Sequence, residues 1–146
     1  MPTWHGELTR LSYGKNAFEY QKIAVNSASP VGLVIMLYDG GLRFMARGKE
    51  AILEGDLKKQ DDQLRRAQKI VLELMSSLDM VRGGDVAKNL FALYTYVTEK
   101  LVEANMKDDP ACVDEAMNVF SGLRSSWAEI ERRDREGKPQ EVALAS

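Results

Sequence analysis

Apolar residues recur along this chain at spacings of three and four, which is the period of an α-helix with one buried face. No stretch shows the strict alternation that is typical of a half-buried strand. The pattern predicts four long helices, over about residues 30–54, 57–80, 85–107 and 110–135.

The boundaries of these helices carry ordinary capping residues. Ser29-Pro30 and Asp109-Pro110 each combine a side chain that can accept an orphan amide hydrogen with a proline suited to the first helical position. Glycines predict the ends of the first two helices, and aspartates after them predict the next N-caps: Gly55, Gly83, Gly84, Asp56 and Asp85. Because the connections are short, we expect an all-α fold, an antiparallel up-and-down four-helix bundle that forms a single domain over residues 1–146.

The two ends of the chain lack a long helical pattern. Residues 1–14 mix Pro, Gly and isolated aromatics, which predicts a mobile arm. Residues 16–25 show a short helical pattern, too short to be stable alone, so we expect a cap helix packed on the bundle. Residues 136–146 contain Gly137 and Pro139 and are expected to form a flexible tail.

The first long helix is more apolar than a bundle helix requires. Between residues 31 and 38 only Gly32 is not clearly apolar, and Leu33, Met36 and Tyr38 point to different faces of the helix. A second buried contact is therefore expected. Either residues 16–25 fold back over this surface, or a partner peptide covers it.

Three glycines also lie inside this helix: Gly40, Gly41 and Gly48. Each is expected to cost about 0.5–1 kcal/mol relative to alanine. Close approach of another element would explain the cost, and that element is either a partner's backbone or a neighbouring helix of the bundle.

Composition and charge exclude several classes of protein. The 146 residues are 45% hydrophobic and 29% charged, as expected of a folded domain. The 20 Lys and Arg residues nearly balance the 22 Asp and Glu residues, so no strong positive field favours nucleic acid. The apolar run at 31–38 is far shorter than the roughly 20 residues of a membrane span, so no membrane insertion is expected. With one cysteine and no signal-like segment, the default expectation is a cytoplasmic protein.

The chemistry of an enzyme is missing from the sequence. The sole histidine, His5, lies in the polar arm, and no Glu-x-x-His pair is present for a metal site in a bundle. Cys112 has no histidine near it in sequence, and no glycine-rich phosphate loop occurs. We therefore expect no catalytic residue, no metal and no cofactor.

Six stretches, in order and in register, together resemble one family. They are VNSASP, LYDGGLRF, RRAQKIVLELMSSL, LYTYV, LVEANMKDD and LRSSWAE, and they lie between about residues 13 and 133. In these stretches the chain resembles the flagellin-specific export chaperones of the bacterial flagellar secretion system. The resemblance implies a helical bundle that binds the disordered C-terminal segment of flagellin, prevents premature polymerisation and delivers flagellin to the export apparatus. It leaves open whether an export gate component, a co-chaperone or an anti-sigma factor also binds.

The resemblance also implies candidate positions for the client and for a lid. We expect the client groove and its supporting residues at Val25, Asn26, Ser27, Ala28, Met36, Tyr38, Asp39, Tyr94, Leu101, Ala104 and Asn105. An N-terminal arm with aromatic residues can cover the groove in this family, and the matching residues here are Tyr13, Phe18 and Tyr20.

Two departures from the family pattern concern the arm and the start of the first helix. An acidic residue commonly follows the Ser-Pro pair, whereas Val31 and Gly32 stand here. The arm usually carries two tyrosines three residues apart, whereas Phe18 precedes Tyr20 by two. An alternative function is a self-associating structural bundle, in which the surplus apolar surface forms a homodimer interface.

Overall fold

The structure is a computed structural model, and it describes residues 30–137 of the chain. Within that range it contains four helices: α1 (Pro30–Glu54), α2 (Leu57–Ser76), α3 (Gly84–Lys107) and α4 (Pro110–Arg135). Helices α1 and α3 each pack on both α2 and α4, and consecutive helices are joined by short connections. The predicted all-α, up-and-down four-helix bundle is therefore confirmed. The predicted arm, cap helix and most of the tail lie outside the described residues.

The capping residues act as the sequence predicts at two of the turns. Gly55 has a positive φ of 74° after α1, and the Asp56 side chain accepts a hydrogen bond from the Lys59 amide at 3.1 Å. At the start of α4 the Asp109 side chain accepts from the Ala111 amide at 2.9 Å, with Pro110 at the first helical position. These bonds satisfy amides that have no partner within their own helix.

The connection between α2 and α3 differs from the prediction. Helix α2 ends at Ser76, and the chain then turns because the Asp79 carboxylate accepts from the amides of Val81 and Arg82, at 3.1 and 2.9 Å. The N-cap of α3 is Gly83 and makes no side-chain cap bond, so the expectation that Asp85 caps this helix was wrong. Asp85 instead lies in the first turn of α3, where its carboxylate interacts favourably with the helix dipole.

The core is built from the stripes that the sequence predicts. The stripe of α3 is at most 8% exposed at each of its positions, Leu90, Tyr94, Val97, Leu101 and Ala104. At the centre the ring of Tyr38 lies 4.4 Å from that of Phe120, centroid to centroid, and its hydroxyl lies 2.5 Å from the hydroxyl of Tyr94. These three aromatic side chains come from α1, α3 and α4 and belong to one hydrophobic core. Helix α2 contributes to the same core with its buried stripe, Leu64, Ala67, Ile70, Val71 and Leu74.

The glycines of α1 are explained by helix packing inside the bundle. A Cβ at Gly41 would lie 2.7 Å from the ring of Phe120 in α4, and one at Gly48 would lie 2.4 Å from a methyl carbon of Leu64 in α2. A Cβ at Gly40 would lie 3.2 Å from Cδ1 of Ile70 in α2. Of the two explanations open from the sequence, the structure thus favours neighbouring helices, which approach with side chains.

Candidate functional site

Seven of the expected functional positions lie outside the described residues. They are the groove candidates Val25, Asn26, Ser27 and Ala28 and the lid candidates Tyr13, Phe18 and Tyr20. Their roles stay predictions.

The apolar run of α1 is almost wholly buried. Every residue from Val31 to Tyr38 is buried except Met36, which is partly buried, and Tyr38 is completely inaccessible. The run therefore offers little free apolar surface in this structure. Of the three candidates on α1, Met36 and Asp39 are partly exposed, whereas Tyr38 is not.

Asp39 joins α1 to α4. Its carboxylate receives two hydrogen bonds from the Arg124 guanidinium, at 2.6 Å from Nε and 3.3 Å from Nη2. The hydrogen bond that Arg124 donates to Asp39 is the main cause that raises the pKa of Arg124. Because both side chains are partly exposed, the ion pair contributes little to the free energy of folding. It holds one face of α1 against one face of α4.

Three predicted residues of α3 lie in the core. Tyr94, Leu101 and Ala104 are each at most 1% exposed, so they can support a groove but cannot line one. Burial raises the pKa of Tyr94 to about 12 and that of Tyr38 further still. Tyr96, two residues further along α3, is 37% exposed, and its hydroxyl donates to the Glu115 carboxylate of α4 at 3.3 Å.

Asn105 belongs to a polar network between α2 and the end of α3. The amide nitrogen of Gln60, a buried residue, donates to Asn105 Oδ1 at 3.1 Å and to Asp108 Oδ1 at 2.8 Å. Asn105 Nδ2 in turn donates to Asp61 Oδ1 at 2.9 Å. The Arg65 guanidinium and then Asn105 hold the pKa of Asp61 below its usual value. Asn105 thus already has two internal partners.

Gln60 itself was missed by the sequence analysis, although a signal was present. Counting back four residues from Leu64 places a polar amide on the buried stripe of α2. A buried amide nitrogen requires hydrogen-bond acceptors, and here they come from the end of α3 and from the turn that follows it. The network fixes that turn against the start of α2.

Exposed apolar side chains of α3 were also missed. Phe91, Val102 and Met106 are 43%, 40% and 79% exposed, and they lie outside the buried stripe. Val102 and Met106 stand one turn apart and line a surface groove of about 330 Å³. The described part of its lining lies on α3 alone: Thr98, Glu99, Val102, Glu103, Met106 and Lys107. Apolar residues off the main stripe were the available signal.

The described residues supply no obvious reaction chemistry. Residues 30–137 contain no group of three metal-ligating side chains, and no helix among them is long and apolar enough to cross a membrane. The thiol of Cys112 is buried at the start of α4, and burial raises its pKa. The arrangement can bind a segment of apolar polypeptide, which is what exposed apolar side chains on a filled bundle offer.

Comparison with known proteins gives a consistent match over most of the chain. Residues 13–134 match the family model described as flagellar protein FliS. The flagellar secretion chaperone FliS of Vibrio cholerae is 35% identical over 115 residues, which cover 76% of this chain and 85% of that protein. The chaperones of the same name from Campylobacter jejuni and Bacillus subtilis are 36% and 34% identical, over 82% and 81% of this chain and 96% and 90% of theirs.

Proposed function

Because this chain belongs to the FliS family of flagellar secretion chaperones, we propose that its client is flagellin. It binds the disordered C-terminal segment of newly made flagellin in the cytoplasm, prevents premature polymerisation and delivers the subunit to the flagellar export apparatus. The protein acts by binding alone and catalyses no reaction. An export gate component, a co-chaperone or an anti-sigma factor is a candidate further partner.

The observation that supports this proposal is apolar surface on a bundle whose interior is already filled. The core residues Tyr94, Leu101 and Ala104 need no further cover, yet the same helix exposes Val102 and Met106 in a groove. Exposed apolar residues that a core does not need are typical of a surface that receives a partner. A side chain at 79% exposure, such as Met106, has most of its area left to bury.

The mechanism is coupled folding and binding. A disordered segment forms a helix as its apolar side chains enter the groove beside Val102 and Met106. Burial contributes about 25 cal/mol per Å² of apolar surface, whereas ordering the segment opposes binding and keeps it reversible. Methionine suits this role because its flexible thioether side chain can repack around different ligand side chains.

The residues that the sequence singled out take supporting roles in this mechanism. Tyr94, Leu101 and Ala104 fix α3 from the core side, so that the groove is preformed. Asn105 fixes the C-terminal end of α3 through Gln60. Met36 and Asp39 remain candidates for contact near α1, as do the residues outside the described range.

A titration of the protein with a peptide from the C-terminal segment of flagellin tests the proposal. We expect binding with a gain of helical circular dichroism, and a loss of affinity of about ten-fold or more for Val102→Asp and Met106→Asp, since each removes a buried apolar contact. The matched control is Leu53→Asp, which changes a 69% exposed leucine of α1 and should bind as the unchanged protein does. Equal affinity for all variants, with unchanged folding, would exclude the groove.

Sedimentation separates this function from the alternative of a structural homodimer. The chaperone should sediment as a monomer and form a complex with the peptide. A stable dimer that ignores the peptide would overturn the proposal. The family assignment does not favour that alternative.

A further inference from the structure

We infer that the groove of α3 selects a client helix that places a lysine or arginine over Glu99. The inference rests on the proposed function and specifies the chemistry of the client at that site. It follows from the charges around the groove.

The groove has an apolar floor beside a row of charged side chains. Val102 and Met106 form the floor, and Glu99, Glu103 and Lys107 follow one another at spacings of four on the adjoining row. A bound helix that buries its apolar stripe on the floor therefore places its flanking residues beside that row.

The two carboxylates of the row differ in their partners. Glu103 lies 3.1 Å from the Lys107 ammonium and 3.4 Å from that of Lys100, and these contacts lower its pKa. Glu99 is exposed and forms no ion pair or hydrogen bond with any residue in the described range. Glu99 is thus the carboxylate of this row that has no partner among residues 30–137.

The position of Glu99 is unfavourable for the isolated helix. It stands four residues before Glu103, and like charges at that spacing repel one another. Lys107 lies two turns from Glu99 and is already engaged with Glu103. A cationic side chain from a ligand would relieve the repulsion and meet an unpaired carboxylate, whereas an acidic ligand side chain would add to it.

The test combines charge changes on both partners. The probe is the flagellin C-terminal peptide, in which each lysine and arginine is changed to glutamine in turn, titrated against the unchanged protein and against Glu99→Gln. We expect Glu99→Gln to weaken binding by about two- to five-fold, the range of an exposed ion pair, and less at high salt. At one peptide position, the change to glutamine should weaken binding to the unchanged protein by the same factor. The same change should cause no further loss of affinity for the Glu99→Gln variant.

Charge reversal provides the confirming experiment. Glu99→Lys should weaken binding, and changing the identified basic residue of the peptide to glutamate should restore it. The control is Asp134→Asn, which removes an exposed carboxylate on α4 that has no ion-pair partner among the described residues, and which should leave affinity unchanged.

The outcomes distinguish this inference from the function on which it rests. If the peptide binds but Glu99→Gln binds it equally well, the charge selection is wrong and the chaperone function stands. If all basic positions of the peptide lose affinity equally, or if Asp134→Asn matches Glu99→Gln, the selection is general electrostatics and the inference fails. If the unchanged protein does not bind the peptide at all, both fail.

Discussion

The replacement of Gly48 by alanine tests the close packing of α1 on α2. A Cβ at this position would lie 2.4 Å from Cδ2 and 2.8 Å from Cγ of Leu64. Real Cβ atoms do not approach another carbon so closely, so Leu64 must move. Leu64 is completely buried, and its movement would displace further core side chains. Gly48→Ala should therefore destabilise the bundle.

The magnitude follows from comparison with a second glycine. At Gly122 of α4 an added Cβ would meet no atom within 4 Å, so Gly122→Ala should gain about 0.5–1 kcal/mol of helix propensity and nothing else. Gly48→Ala gains the same propensity but forces extra volume into a packed core, which costs about 1–3 kcal/mol. The two variants should thus differ in free energy of unfolding by about 1–3 kcal/mol, with Gly122→Ala the more stable.

Urea unfolding followed by circular dichroism measures both variants under the same conditions. A rescue variant identifies the cause, because Leu64→Ala removes the atoms that an alanine at position 48 would meet. In that background Gly48→Ala should no longer destabilise and should recover part of the stability lost at Leu64. If Gly48→Ala raises stability as much as Gly122→Ala does, the close contact between α1 and α2 is wrong.

Two further predictions concern the buried tyrosines. Tyr38→Phe removes the hydroxyl that pairs with that of Tyr94 and should lower the free energy of unfolding in urea by about 1–3 kcal/mol. Adding Tyr94→Phe to this variant should cost much less than a second such loss, and strictly additive losses would contradict the paired hydroxyls. Burial raises the pKa of Tyr94 from 10.0 to about 12, so the unfolded chain loses this proton at a lower pH than the folded protein does. The free energy of unfolding should therefore hold below pH 10 and fall between about pH 10 and 12. Alkaline unfolding of Tyr94→Phe should show a shallower fall.

The sequence predicted the helices well where local chemistry decides the structure. Asp56 and Asp109 cap their helices through side-chain hydrogen bonds to nearby amides, so three or four residues contain all the information required. The stripe of α3 is equally local, since its period alone defines the buried face. At Gly83, Gly84 and Asp85, the glycine signal for a chain break stands directly beside the aspartate signal for an N-cap. The prediction that Asp85 caps α3 failed there.

Contacts between distant residues were beyond the sequence pattern. The network of Gln60, Asn105 and Asp108 joins positions more than forty residues apart, and only the packing of α2 on α3 brings them together. The glycines of α1 were recognisable as unusual, but their partners Phe120 and Leu64 depend on which helices are adjacent. Periodicity shows which face of a helix is buried and leaves open what lies opposite.

The apolar residues at the start of α1 exceed what one buried stripe needs, yet the structure buries nearly all of them. Helix α3, in contrast, has an ordinary core stripe and exposes additional apolar residues beside it, such as Val102 and Met106. This separation has a consequence for the proposed chaperone. Because the core is complete without a client, the bundle can fold before binding and can stay folded after release, so that a client helix leaving the groove of α3 exposes only the surface that it covered.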